Sequence, residues 1–193
     1  MARFEFAPTP ITGLILVERK RIEDHRGFLS RLFCAEAFSA AGFDKPISQI
    51  NHTLTRHKGT VRGMHFQCPP HAEIKLVSCL QGEVFDVAVD LRQNSPTFLN
   101  WHGALLSATN QRSLLIPEGF AHGFQTLIDH AELVYFHTAA YHPTSEGALN
   151  VMDPRLAIIW PLEVTEISDR DRHYPLLDPN FDGLITNDRG IRT

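Results

Sequence analysis

Five side chains, scattered along the chain, are of types that move protons or steady charge. His65 lies in VRGMHFQ, Lys75 in EIKLVSCL, His122 in IPEGFAHGF, Tyr135 in ELVYFHT and Asp171 in SDRDR. An imidazole titrates near neutrality, so it can take up a proton at working pH. A carboxylate such as Asp171 can steady that imidazole, and a lysine flanked by apolar residues can sit as a buried cation beside an anionic intermediate. Each residue also has a plain structural reading. His65 can be a packed strand histidine, Lys75 an edge-strand gatekeeper and His122 a solvated loop imidazole. Tyr135 can be a half-buried aromatic. Ser168 and Asp171 have the spacing of a helix capping box, a role compatible with presenting the carboxylate to an imidazole.

The elements that must position these groups follow a period of two. In EVFDVAVDL, Phe85, Val87, Val89 and Leu91 fall on one face, and Val84, Asp86, Ala88 and Asp90 on the other. That predicts a strand with one apolar and one mixed face. Similar runs cover 13–17, 60–68, 74–80, 113–116, 123–127 and 133–138. Pro69-Pro70, Gln81-Gly82, Pro117-Glu118-Gly119 and His142-Pro143 punctuate them. Many short strands at such spacing predict an all-β antiparallel sandwich or barrel, with a mouth able to hold a ligand. The patterning predicts two short helices, one over Ala35–Ala41 stopped by Gly42 and one near Ser168. On β alternation His65 and Gln67 share a face opposite Met64 and Phe66. Arg62 should then face away from His65, unless Gly63 makes a bulge. Leu133, Tyr135 and His137 share one face. No repeat or linker is visible, so residues 1–193 read as one domain.

Composition narrows the function classes. The 193 residues are 43% hydrophobic and 21% charged, which supports a folded core and argues against intrinsic disorder. Eighteen Lys and Arg against 22 Asp and Glu give a formal net charge of -4. The basic footprint of a nucleic-acid binder is missing. No run approaches the length of a membrane helix. Cys34, Cys68 and Cys79 form no CxxC and read as reduced, packed thiols. With no basic n-region or cleavage site near the N-terminus, they give a cytoplasmic expectation.

Twelve stretches, in order, carry a resemblance: DHRGF (24–28), QINH (49–52), VRGMHFQ (61–67), KLV (75–77), GEVFDVAVDLR (82–92), SPTF (95–98), LSATN (106–110), IPEGFAHGF (116–124), ELVY (132–135), DP (153–154), WPL (160–162) and SDRD (168–171). Together they resemble the dTDP-4-dehydrorhamnose 3,5-epimerases of the cupin superfamily. The resemblance implies a cupin-like jelly-roll barrel with a few short helices, in a homodimer that shares strands near the N-terminus. It implies a nucleotide-diphosphate 4-keto-6-deoxysugar as substrate. His65 matches the catalytic base, Asp171 its partner carboxylate, Tyr135 the acid on the opposite face of the sugar, and Lys75 a lysine near the substrate oxygen. Arg26, Gln49, Asn51, Arg62, His122 and Glu146 match substrate-contacting positions, and Tyr141 the aromatic that stacks on the base. Arg31 stands where the family commonly has a Glu that approaches the nucleotide, Arg170 directly precedes the catalytic Asp, and Phe136-His137 replaces a common Lys and Thr.

The implied chemistry asks for these residue types. A carbon beside a ketone is epimerised by removing its α-proton, and the charge is tolerable only as an enolate on the C4 oxygen. A base on one face, a cation or donor at the enolate oxygen and an acid on the far face complete the set. A phenol suits the last role because it donates without bringing a charge of its own. No redox cofactor is called for. Metal-binding cupins use an HxH pair, a Glu and a third His. Here Phe66 and Gln67 follow His65, so the expectation is a metal-free site. Alternative readings are an epimerase acting at only C3 or C5, a sugar-nucleotide-binding cupin without activity, and a metal-dependent cupin.

Overall fold

A computed structural model describes residues 3–186. Fourteen strands and two short helices follow one another as β1 (Phe4–Pro8), β2 (Ile15–Arg19), β3 (Ile22–Asp24), β4 (Gly27–Leu29), α1 (Ala35–Ser39), β5 (Gln49–Thr55), β6 (Thr60–Gln67), β7 (Lys75–Gln81), β8 (Glu83–Asp90), β9 (Trp101–Ser107), β10 (Arg112–Ile116), β11 (Phe120–Thr126), β12 (Ala131–His137), β13 (Glu146–Ala148), β14 (Glu166–Ile167) and α2 (Asp169–Arg172). One sheet runs β1-β2-β10-β7-β12-β5 and the other β13-β6-β11-β8-β9, with β14 added beside β6. Every pairing between these strands is antiparallel except the short β14–β6 contact. The expected all-β jelly-roll architecture is therefore present. Among the described residues no helix is long and apolar enough to cross a membrane.

The two sheets enclose one core between them, made by Val77, Cys79, Leu114, Ile116 and Leu133 from the first sheet and Val84, Ala88, Leu106, Phe120 and Phe124 from the second. Two further layers cover the outer faces. Phe38 and Phe43 close over Val17, Leu76, Leu115, Val134 and Phe136 of the first sheet. Leu149, Val151, Leu156 and the partly buried Trp160, Leu177 and Phe181 cover Val87, Val89 and Leu91 of the second. These extra layers explain β8. Its alternation is as predicted, yet the all-apolar face is the outward one, buried under the later chain. The mixed face, with Asp86, is the one that looks inward.

Helix α1 ends earlier than expected, at Ser39, but Gly42 performs the predicted stop. It takes φ +99°, and Phe43 N–H returns to the Phe38 carbonyl at 2.9 Å. The β6–β11 contact is the local feature that most affects the site. His122 pairs with His65 but Phe124 pairs with Arg62, so β6 carries one extra residue between them. Gly63 sits in that bulge at φ +132°, where a Cβ would lie 2.5 Å from the Gly123 Cα. Arg62 and His65 consequently reach the same space, which strict alternation forbids. Gly63→Ala meets both a left-handed backbone and a backbone neighbour. It is expected to lower stability by about 2 kcal/mol or more, read by urea unfolding, and to reduce Arg62-dependent ligand binding in whatever fraction folds.

Candidate active site

His65 is central in β6, flanked by β11 and β13. Its Nε2 lies 2.8 Å from Asp171 Oδ1. Asp171 is 3% exposed. It is delivered by α2, where Ser168 caps the helix by accepting the Asp171 N–H at 3.1 Å. The cap and the partner carboxylate are thus one device. The second Asp171 oxygen accepts the Gly63 N–H at 3.4 Å. Burial pushes the Asp171 carboxyl upward, but the bond and charge of His65, with Gly63 and Ser168, hold it below the usual carboxylate range. Arg170 Nη2, a donor, also lies 3.3 Å from Nε2, but the Asp171 oxygen is nearer at 2.8 Å, so Nε2 donates to the ionised Asp171 and His65 Nδ1 is the nitrogen that can act as base.

A cavity of about 200 Å3 is lined by Asn51, Thr53, Arg62, His65, Lys75, His122, Phe124, Tyr135 and His137. A larger one of about 670 Å3 adjoins it and also has Arg62, His65, Arg170 and Asp171 in its wall. His65 comes from one sheet and Tyr135 from the other, so imidazole and phenol enter the small cavity from facing layers. Burial raises the Tyr135 phenol well above its ordinary value, and the nearby Asp86 charge adds to this. It therefore stays protonated at any physiological pH. The Tyr135 ring meets His122 edge-on at 6.0 Å.

Lys75 is 8% exposed, in a strand flanked on both sides, so it is not an edge gatekeeper. Its Nζ donates to the His65 carbonyl at 3.3 Å and pairs with Glu73 at 3.0 Å. His122 lies inside β11 rather than on a loop and is 6% exposed. Its Nε2 is 2.8 Å from Asp86 Oδ1, and the other Asp86 oxygen has no hydrogen-bond partner.

A polar chain leads from the cavity to the rim. Arg170 Nη1 reaches Glu146 at 3.2 Å, and the Tyr141 hydroxyl donates to Glu146 at 2.9 Å. The Tyr141 N–H donates to Gln49 Oε1 at 3.0 Å, and Gln49 Nε2 to Asn51 Oδ1 at 3.1 Å. Five residues singled out from the sequence are thereby connected. Arg26 and Arg31 are not. Arg26 is exposed at the tip of the β3–β4 hairpin, bound to Asp24 at 2.6 Å. Arg31 is exposed, and neither arginine lines either cavity. Sequence reading missed Glu73 and did not assign Asp86 or His137 a role. Asp86 had a signal, as an acid between Val84 and Ala88 on the mixed face of its strand.

Among the described residues no group of three or more His, Cys, Asp or Glu side chains is placed to hold a metal ion. All three cysteines are free.

Comparison with known proteins fits this geometry. The family profile described as dTDP-4-dehydrorhamnose 3,5-epimerase matches residues 8–179. The chain belongs to this family. It is 45% identical to the dTDP-4-dehydrorhamnose 3,5-epimerase of Salmonella typhimurium, over 88% of this chain and 93% of that one. It is 45% identical to the enzyme of Escherichia coli K12, over 95% of each. Among solved structures, the dTDP-6-deoxy-D-glucose-3,5-epimerase of Legionella pneumophila, in complex with dTDP-4-keto-L-rhamnose, superposes with a TM-score of 0.87 at 40% identity. It covers 95% of this chain and 99% of its own. This member of the dTDP-4-dehydrorhamnose 3,5-epimerase family has a carboxylate-paired imidazole and a phenol in the wall of one small cavity.

Proposed function

We propose that this chain catalyses the 3,5-epimerisation of dTDP-4-dehydro-6-deoxy-D-glucose, with His65, Asp171, Tyr135 and Lys75 as the catalytic set. The observation that carries the assignment is that a carboxylate-paired imidazole and a buried phenol face one small cavity from opposite sheets. His65 Nδ1 removes the proton from C5 or C3, and the electron pair moves through the enolate onto the C4 oxygen. Lys75 and His122 meet that oxygen, each worth ~3 kcal/mol in a dry site. Tyr135 returns a proton to the opposite face of the carbon. Base and acid are reset by exchange with solvent, so the net change is configuration alone. The scheme moves only protons and needs no redox cofactor.

Arg62, at the junction of the two cavities, is placed to take the diphosphate. Tyr141, half-exposed and held by Glu146 and Gln49, is placed to stack on the base. The enzyme works, in this reading, in the cytoplasm, where nucleotide sugars are made. The test follows deuterium from solvent into dTDP-4-keto-6-deoxyglucose by NMR. Exchange at both C3 and C5 is expected. A folded protein that binds dTDP but exchanges neither carbon sinks the assignment.

We also infer a homodimer that shares N-terminal strands. The β3–β4 hairpin pairs with no other strand among the described residues and exposes Ile22, Phe28 and Leu29. Strand β5 is a sheet edge with Ile50 and Leu54 exposed. A second copy would cover both and bring Arg26 and Arg31 to the neighbouring cavity. Sedimentation should give a dimer at micromolar concentration, and Arg26→Ala should raise KM about tenfold with the fold intact. A monomer with full activity refutes it.

A further inference from the structure

Behind the small cavity an ionic cluster joins Lys75 to two residues that the proton-transfer scheme does not use, Glu73 and His137. Glu73, just before β7, places one carboxylate oxygen 3.0 Å from Lys75 Nζ and the other 2.8 Å from His137 Nδ1. His137 is 8% exposed and lies two residues after Tyr135, its ring nearly parallel to the phenol at 6.0 Å. Carboxylate oxygens only accept, so the neutral His137 ring carries its proton on Nδ1 and a lone pair on Nε2. The partner of that lone pair is Asn51 Nδ2 at 3.5 Å, a long contact that a closer donor can displace. The ring lines the cavity, and a 4-keto-6-deoxyhexose brings hydroxyl donors at C2 and C3.

We propose that His137 contacts the substrate, accepting a sugar hydroxyl through Nε2, and that Glu73 is the positioning residue that fixes this tautomer while aiming Lys75. The assignment rests on the epimerase reading above. Burial pushes the Glu73 carboxyl upward, but the His137 hydrogen bond and the Lys75 charge outweigh it and hold the group below its ordinary range. Only the ionised form accepts from both partners at once. An amide at this position has one acceptor, and its NH2 would face a donor. Glu73→Gln therefore drives His137 to the Nε2–H tautomer, which turns the acceptor offered to the sugar into a donor.

The test combines two-bond proton–nitrogen NMR on ring-labelled histidine with steady-state kinetics on dTDP-4-keto-6-deoxyglucose. The His137 signals are assigned by their loss in His137→Gln. At mildly alkaline pH the intact enzyme should show Nδ1–H and Glu73→Gln should show Nε2–H. Both Glu73→Gln and His137→Leu should lose about tenfold in kcat/KM, while inhibition by dTDP stays within about twofold. His137→Gln, whose amide oxygen can replace the Nε2 lone pair, should recover part of the loss. An intact enzyme already in the Nε2–H form, or His137→Leu kinetics equal to the parent, overturns the proposal. If His137→Leu does not fold, the tautomer in Glu73→Gln and the rate of His137→Gln decide instead. Absence of carbon exchange in the unsubstituted protein would strike the epimerase reading, while the tautomer measurement would still report on the Glu73–His137 pair.

Discussion

His65→Asn is expected to abolish deuterium exchange at both C3 and C5, lowering the rate by about a thousandfold or more. The shorter asparagine amide ends near the imidazole Nδ1 position and does not reach the Asp171 oxygen that lies 2.8 Å from Nε2. Asp171 keeps the Gly63 N–H and the neighbouring Arg170 guanidinium, so the expected loss of stability is about 1 kcal/mol. What is lost is the one nitrogen able to take a carbon-bound proton. Lys75 is poorly placed to substitute, because its Nζ is tied to Glu73 at 3.0 Å and to the His65 carbonyl at 3.3 Å. A His65→Asn protein that melts like the parent yet still exchanges either carbon would move the base elsewhere, and His122 and His137 would be next in line.

Tyr135→Phe separates the two halves of the reaction. Removal of the α-proton depends on His65 and Asp171 from the other sheet, so exchange on that face should persist. Delivery to the opposite face depends on the phenol, whose burial keeps it protonated. Net inversion should fall by about two to four orders of magnitude while deuterium continues to enter with retained configuration. The phenylalanine ring keeps the edge contact with His122 and the parallel contact with His137, so folding should change little. Equal loss of washout and inversion would mean that Tyr135 shapes the cavity rather than serving as the acid.

Much of this arrangement was legible in the residues, for identifiable reasons. β8 and β12 alternate cleanly, so the faces carrying Asp86 and Tyr135 could be read directly. The Ser168 and Asp171 spacing announced its cap. Other parts depended on contacts that no local pattern encodes. β5 reads QINHTLT and is mostly exposed on both faces, so it has no apolar stripe to betray it although it supplies Asn51 to the cavity. The β6 bulge was signalled only by Gly63, because the extra residue is defined by register against β11. Glu73 is separated from His137 by 64 positions, and its meaning appears only when β7 and β12 lie side by side. The apolar face of β8 could be read, but not what covers it, since its cover comes from chain some sixty residues or more downstream.

That downstream cover has a catalytic consequence. The wrapping that begins at Leu149 and returns at Leu177 and Phe181 is also the stretch that holds α2, and hence Asp171. A thermal excursion that peels the wrapper loose strips His65 of its carboxylate partner while breaking only the short β14–β6 pairing, with the other barrel strands still joined. Turnover and the integrity of an outer coat are therefore tied together, and the temperature at which the enzyme falls silent reports on the coat first.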